Sequence, residues 1–320
     1  MLYIQDLNEG MKITGIYLVK SRTAATTKNG KAYDNVILMD KTGTVDCKIW
    51  DPDSPGIDEF DALDYVEIVG DVSRYNNALQ VSLKRVRLAR EGEYDPANYV
   101  PTSDKNTDEM FKVLKDFIDK VENPYLNQLL KSFFEDPSFV SRFKNASAAK
   151  TIHHAFVGGL LQHTVYVTNL CYYFSRYYSV LNKDLLLTAA ICHDIGKVKE
   201  ISPFPQNDYT DDGQLLGHIM IGAEMIHDAA AKIPGFPARL ESDLKHCILA
   251  HHGEYEYGSP KKPALAEALA LNLADNADAR LETLTELFKA NAQRPDGEWL
   301  GFNRVFESNI RKTGDINKLG

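Results

Sequence analysis

The feature that most constrains this chain is a single change of hydrophobic period. From Met11 to about Leu88, apolar and polar residues alternate in short β-branched runs, "KITGIYLVKSR", "YDNVILMDKTGTVDCKIW" and "DYVEIVGDVSRYNNALQVSLKRVRLA", with turns at "KNGK", "DKTG" and "YNNA". From Thr107 the spacing becomes three and four. In "TDEMFKVLKDFIDKV", Met110, Phe111, Leu114, Phe117, Ile118 and Val121 fall on one helical face, with Thr107 as a candidate cap. A period of two does not bury one side of a helix, nor a period of 3.6 one side of a strand, so a β unit and an α unit must follow one another. Between them "REGEYDPANYVPTSDKN" is polar, carries two prolines and has no period, which marks a linker. A length of 320 residues suits two domains, drawn here at 1–90 and 107–320 with a linker at 91–106.

"NPYLNQLLKSFFED" continues the helical texture, and further helices are expected at about 156–178, 183–193, 217–232, 237–252 and 263–291, making the second unit essentially all α. Five or so strands in under 90 residues fit a small barrel. Their order, a long hairpin, a "DKTGTVDCKIWD" strand and two closing strands, resembles the OB-fold of nucleic-acid-binding proteins. The expected fold class is therefore multi-domain: a small N-terminal all-β OB-fold barrel followed by an all-α domain.

A net charge of −9 argues against a wholly basic nucleic-acid coat but leaves room for local basic patches. The four cysteines form no C-x-x-C pair, so neither a zinc ribbon nor a disulfide framework is indicated. "MLYIQDLNEG" lacks the basic and apolar regions of a signal peptide, and the longest apolar run, Leu185 to Cys192, is far too short to span a membrane. The expectation is a soluble, cytoplasmic protein with no membrane partner.

All nine histidines lie after residue 150. Polar groups interrupt apolar helices at His163 in "GGLLQHT", His193 and Asp194 in "CHDIGK", His218 in "LLGHIMIG", His251 and His252 in "LAHHGE", and Asp275 in "NLADNADA". One such histidine is usually an ordinary core residue. Burying this many imidazoles and carboxylates without partners would cost several kcal/mol each, a cost that coordination to a cation offsets. Imidazole plus carboxylate without thiolate suits manganese, iron, cobalt or zinc. The set is large enough for two divalent ions, and Asp194, with two oxygens, could bridge them. Adjacent helical residues point about 100° apart, so His251 and His252 should differ in role, with His251 favoured as ligand and His252 as ligand or phosphate contact.

"ICHDIGK", with His163 upstream and Asp275 downstream, resembles the HD superfamily of metal-dependent phosphohydrolases. The longer run "TIHHAFVGGLLQHT … HDIGK … LLGHIMIG … LAHHGEYEYGSPKKP … ADNADARL", behind an OB-like domain, is similar to bacterial YhaM-type 3′-to-5′ exoribonucleases. The resemblance implies that His163, His193, Asp194 and Asp275 hold one ion, and that His218 with His251 or His252 holds a second beside bridging Asp194. It further implies manganese-type activation, with Co²⁺, Fe²⁺ or Zn²⁺ as alternatives, and single-stranded RNA as substrate, with single-stranded DNA also open. Asp194 and Lys197 are the candidate catalytic residues. The ammonium of Lys197, one turn past His193, could meet a substrate phosphate. His153 or His154 could contact the scissile phosphate, Asp278 could support the site or orient Arg280, and Lys261 and Lys262 could lead the backbone inward. His227 and His246 fit no slot and read as structural.

Residues 1–90 carry 12 basic against 13 acidic side chains, so a binding face there must come from distribution. Lys20, Arg22, Lys28 and Lys31 cluster at the first hairpin, and Arg74, Lys84, Arg85, Arg87 and Arg90 in the last strands. Single-strand binding also needs aromatic faces, for which Tyr17, Tyr33, Trp50 and Tyr75 are candidates. The substrate-binding set is then His154, Lys197, Lys261, Lys262, Arg22, Lys31, Tyr33, Trp50 and Arg74. Two other functions compete: an HD enzyme acting on a small nucleotide with a regulatory barrel, and a nucleic-acid-binding protein with a vestigial HD site. The aromatic tract "CYYFSRYY" at 171–178 serves either as core or as a subunit contact, which leaves a homo-oligomer open.

Overall fold

A computed structural model describes residues 2–314, apart from 28, 77, 104, 151–153, 293 and 296. Lys28 and His153 therefore lie outside the described residues.

The alternating N-terminal runs form five strands, β1 (Lys12–Thr26), β2 (Ala32–Asp40), β3 (Gly43–Ile49), β4 (Tyr65–Tyr75) and β5 (Ala78–Leu88). They close a barrel in the order β1-β2-β3-β5-β4, with β4 returning to β1 and β3 running parallel to β5. This is the strand order of an OB fold. The period-two apolar residues Ile13, Leu38, Val45, Ile49, Ile68, Val81 and Val86 fill the interior. Gly70 sits at a register shift where a Cβ would come within 2.8 Å of the Ser82 carbonyl oxygen, so the barrel closes only on a bare backbone.

Two sequence expectations change here. Tyr17 was a stacking candidate, but it is 1% exposed and its hydroxyl donates to the Leu2 carbonyl. Arg22 was expected to face a phosphate. Its guanidinium instead pairs with buried Asp34 at 2.7 Å, donates to the Phe60 carbonyl at 2.6 Å and lies 4.3 Å over the Phe60 ring. It clasps the barrel wall, because Asp34, 5% exposed, needs a cation.

The segment read as a linker packs back on the barrel. Tyr94 stacks on Tyr65 at 3.8 Å, and Tyr99, 3% exposed, meets Tyr65 edge-on. From there the chain runs along Val157, whose amide donates to the Pro101 carbonyl while Ser103 returns the bond.

The helical unit comprises α1 (Thr107–Ile118), α2 (Pro124–Phe134), α3 (Pro137–Asn145), α4 (Gly159–Tyr177), α5 (Lys183–Cys192), α6 (Lys197–Glu200), α7 (Asp211–Leu215), α8 (Gly217–Ala231), α9 (Ala238–Ala250) and α10 (Ala266–Ala290). Thr107 is the first helical residue and not the cap; Asn106 caps α1 by accepting from the amides of Asp108 and Glu109. Helix α5, "KDLLLTAAIC", is buried along Leu185–Cys192 and forms the central rod of the core, with α1, α2, α4, α9 and α10 packed around it. The unit is essentially all α as expected, with one added short hairpin near its end, β6 (Trp299–Asn303) and β7 (Ser308–Arg311). The "CYYFSRYY" tract divides, with Cys171 buried, Tyr172 and Phe174 against the core, and Tyr173, Tyr177 and Tyr178 exposed. No helix of the described residues is long and apolar enough to cross a membrane.

Candidate metal centre

The polar interruptions of the apolar helices meet at the C-terminal end of α5. His193 caps that helix, with its Nδ1–H donating to the Ala190 carbonyl at 2.7 Å, and Asp194 follows. His251 repeats the device at the end of α9, donating to the Ile248 carbonyl at 2.6 Å. Both rings thus satisfy a carbonyl that the helix end leaves without a partner. His163 projects from α4, His218 from the first turn of α8, and Asp275 and Asp278 from successive turns of α10.

Five imidazoles share one arrangement. Besides His193 and His251, His163 Nδ1 lies 2.6 Å from Asp278 Oδ2, His218 Nδ1 2.9 Å from Glu200 Oε1, and His252 Nδ1 2.9 Å from the Tyr257 carbonyl. Each of these partners is an acceptor, so each ring donates from Nδ1, and Nε2 of the neutral ring is left with a lone pair. Those Nε2 atoms face one another. His163 Nε2 stands 3.0 Å from His193 Nε2, 3.2 Å from Asp275 Oδ1 and 3.4 Å from Asp194 Oδ2; His193 Nε2 is also 3.4 Å from Asp194 Oδ2. Lone pairs and carboxylate oxygens so close repel unless a proton or a metal cation lies between them. Metal–ligand bonds of about 2.1 Å place neighbouring ligand atoms about 3.0 Å apart in an octahedron and about 3.4 Å in a tetrahedron. The observed spacings fall within that range.

A second group adjoins the first. His218, His251 and His252 bring their ligand atoms within 4.8 Å of one another, while Asp194 Oδ1 lies 3.4 Å from His218 Nε2 and 3.8 Å from His251 Nε2. Asp194 Oδ1, His218 Nε2 and His251 Nε2 are all buried and lack a hydrogen-bond partner. Orphaned buried acceptors of this kind are costly, and a divalent cation would satisfy all three. Asp194 therefore turns one oxygen to each group.

The titrating groups of the site are shifted by burial and by close charge pairs. Burial opposes ionisation of Asp194, yet Lys197 at 2.7 Å and the adjacent His193 hold its carboxyl well below the usual range. Asp275, only partly exposed, loses by desolvation as well, yet His163 keeps its carboxyl low. Burial pushes His163 down, but Asp275 and Asp278 outweigh it and raise that imidazole to about 10. His251 and His252 are driven down by burial, His251 the further.

The structure brings His163, His193, Asp194, His218, His251, His252, Asp275 and Lys197 into this one site. His154 is placed otherwise than its sequence position suggested: it is fully buried, and its Nε2 is bonded to Asp278 Oδ2 at 2.9 Å, so it stands behind His163 and faces no substrate. Asp278 accepts from both rings, the supporting role of its two options. Lys261 and Lys262 are exposed on the loop whose Tyr257 carbonyl holds His252, and Lys262 pairs with Glu254. Glu200, which accepts from both the amide and Nδ1 of His218, was not singled out from sequence. On the barrel, Trp50 is half-exposed and tilted against Tyr33 at 5.3 Å on the outer face of β2 and β3, the face that OB folds use for oligonucleotides. Lys48, also not singled out, lies over the Tyr33 ring. Lys31 and Tyr75 are exposed, and Arg74 pairs with Glu9.

Comparison with known proteins agrees with this geometry. The HD domain family matches residues 160–280. The 3′-5′ exoribonuclease YhaM of Bacillus velezensis is 34% identical over 273 residues, 85% of this chain and 86% of that protein. Similar solved structures include the second OB-fold domain of replication protein A from Methanococcus maripaludis (19% identical, 28% of this chain, 94% of that chain, TM-score 0.23). Another is a replication protein A heterotrimer bound to single-stranded DNA (18% identical, 28% of this chain, 64% of that chain, TM-score 0.20).

Proposed function

Because the chain belongs to the family of the 3′-5′ exoribonuclease YhaM, we propose that it is a metal-dependent 3′-to-5′ exoribonuclease acting on single-stranded RNA, with single-stranded DNA as a second substrate. The observation that carries this reading is the facing set of imidazole nitrogens and carboxylates, in which Asp194 Oδ1, His218 Nε2 and His251 Nε2 are buried without a partner that a cation would supply.

In this reading His163, His193, Asp194 and Asp275 hold one divalent ion, and His218, His251, His252 and the other oxygen of Asp194 hold a second. Manganese suits the ligands, as do cobalt, iron and zinc. When bound, such a pair lowers the pKa of water and stabilises the attacking and leaving oxygens of a phosphodiester. The protein's own residues fix the frame. Asp194 bridges the two groups. Lys197 keeps Asp194 ionised and adds a positive charge where a phosphate would approach. The helix ends at Ala190 and Ile248 lock two imidazoles in the Nδ1–H tautomer, so that Nε2 is free to coordinate.

The barrel supplies capture. Tyr33 and Trp50 stack bases, Lys48 sits beside them, and Lys31 and Arg74 extend the positive charge along the backbone. Lys261 and Lys262 line the approach at the His252 loop. The test is degradation of a 5′-labelled single-stranded RNA in the presence of Mn²⁺. Products should shorten stepwise from the 3′ end. RNA left intact across several divalent ions, or hydrolysis confined to free nucleotides, overturns the reading.

A further inference from the structure

The five imidazoles divide by what backs them. His193, His251 and His252 donate Nδ1–H to main-chain carbonyls, whereas His163 and His218 donate to buried carboxylates, Asp278 and Glu200. Each donor group contains one of the two carboxylate-backed rings. His163 belongs with His193 and Asp275, and His218 with His251 and His252.

Asp278 also lies within 4.8 Å of the ligand atoms of His154 and His163, but its oxygen there is already engaged, and Glu200 belongs to no such group. Asp278 Oδ2 is taken up by two imidazoles at 2.6 and 2.9 Å, and it is 6% exposed. Glu200 Oε1 accepts from both the amide and Nδ1 of His218, each at 2.9 Å, and the residue is 7% exposed. A buried carboxylate that spends its oxygen on a histidine fixes the tautomer and direction of that ring and makes Nε2 a stronger donor than a main-chain carbonyl does. The two arrangements are also separate in the fold. Asp278 is on α10 with His154 behind it, while Glu200 ends α6 and reaches the first turn of α8.

We propose that Asp278 and Glu200 are positioning residues, each dedicated to one ion of a two-ion centre: Asp278 to the ion held by His163, and Glu200 to the ion held by His218. This rests on the two-ion reading above. It adds that the ions are tuned independently, so that one can be weakened while its neighbour stays in place.

The experiment is Mn²⁺ titration of the full-length protein, followed by calorimetry and by electron paramagnetic resonance, with Asp278→Asn, Glu200→Gln and the double variant. The amides keep an acceptor oxygen and the side-chain shape but remove the charge. Wild-type protein should take up two ions, with the broadened signal of a coupled manganese pair. Each single variant should keep one ion at wild-type affinity, bind the other about 10- to 100-fold more weakly, and show the six-line signal of isolated Mn²⁺ at low loading. The retained ion in each single variant also reports that the fold is intact. The double variant should hold neither ion tightly. Single variants that bind both ions as wild type does, or a double variant that still retains one ion at full affinity, overturn the assignment. Wild-type protein that binds only one ion overturns the two-ion reading itself, a result distinct from either of these.

Discussion

Replacing Gly196 by alanine tests whether the second donor group depends on a helix crossing made by bare backbone. Gly196 has ordinary helical dihedrals, φ −62° and ψ −24°, so alanine meets no conformational strain there. Space is the obstacle: a Cβ would lie 2.1 Å from the His218 carbonyl oxygen and 2.8 Å from the Gly222 amide nitrogen. Ordinary contact begins at 3.4 Å, so the start of α8 would have to retreat by about 1.3 Å. His218 moves with its backbone, and a ligand position tolerates only about 0.2 Å. Overpacking costs about 1–3 kcal/mol, and two main-chain obstacles put this case near about 3. For a domain of this size that lowers the melting temperature by about 6–12 °C. Gly222→Ala, on the other side of the same crossing, is the control. Its Cβ would meet Gly196 and Ile248 only at 3.6 Å, and removing a helical glycine gains up to about 1 kcal/mol. Thermal melts with and without Mn²⁺, together with ion stoichiometry, decide the matter. Gly196→Ala protein that melts as wild type and binds both ions refutes the reasoning, as does equal damage from Gly222→Ala.

Other substitutions separate the roles of the site and the barrel. Asp194→Asn, which removes the shared charge, should reduce turnover to the level of metal-free protein while RNA binding measured by fluorescence anisotropy persists; normal turnover would refute the bridge. Tyr33→Ala with Trp50→Ala should weaken binding of a long single strand by about 1–3 kcal/mol per lost stack yet leave cleavage of a dinucleotide unchanged, as read from separate Kd and kcat measurements. Arg22→Ala strands the buried Asp34 carboxylate and should destabilise the barrel by about 3 kcal/mol in a denaturant melt, with a smaller effect on RNA affinity below the transition. Mn²⁺ at about a hundred times its dissociation constant should stabilise the folded protein by about 2.7 kcal/mol for each ion, and chelation should reverse the shift.

What could be read from sequence and what could not differ by a physical rule. A candidate ligand histidine is conspicuous because it is polar within or at the end of an apolar run: His163, His193, His218 and His251 each interrupt or end such a run, and the structure brings them together. The helices that carry them were legible for the same reason; α5 was expected at 183–193 and runs Lys183–Cys192. The hairpin β6–β7 was not, because "WLGFN" is short, largely exposed and contains no sustained alternation. The linker misled because its tyrosines find their partner, Tyr65, about thirty residues back in the chain, beyond the reach of any local pattern. Arg22 misled similarly, since a basic residue in an alternating strand looks solvated until the register brings Asp34 within reach. Glu200 is the sharpest case. In "KVKE" it is one charge in a charged run, and only the arrival of α8 over α6 buries it and turns its carboxylate to His218. Asp278 gave a partial clue, being one turn from Asp275 on the same face. The candidate ligands therefore stand out from their own helix, whereas the carboxylates behind them become distinct only when two helices pack; this is why Gly196, the residue that lets α6 and α8 touch, bears on the site along with the charges on either side of it.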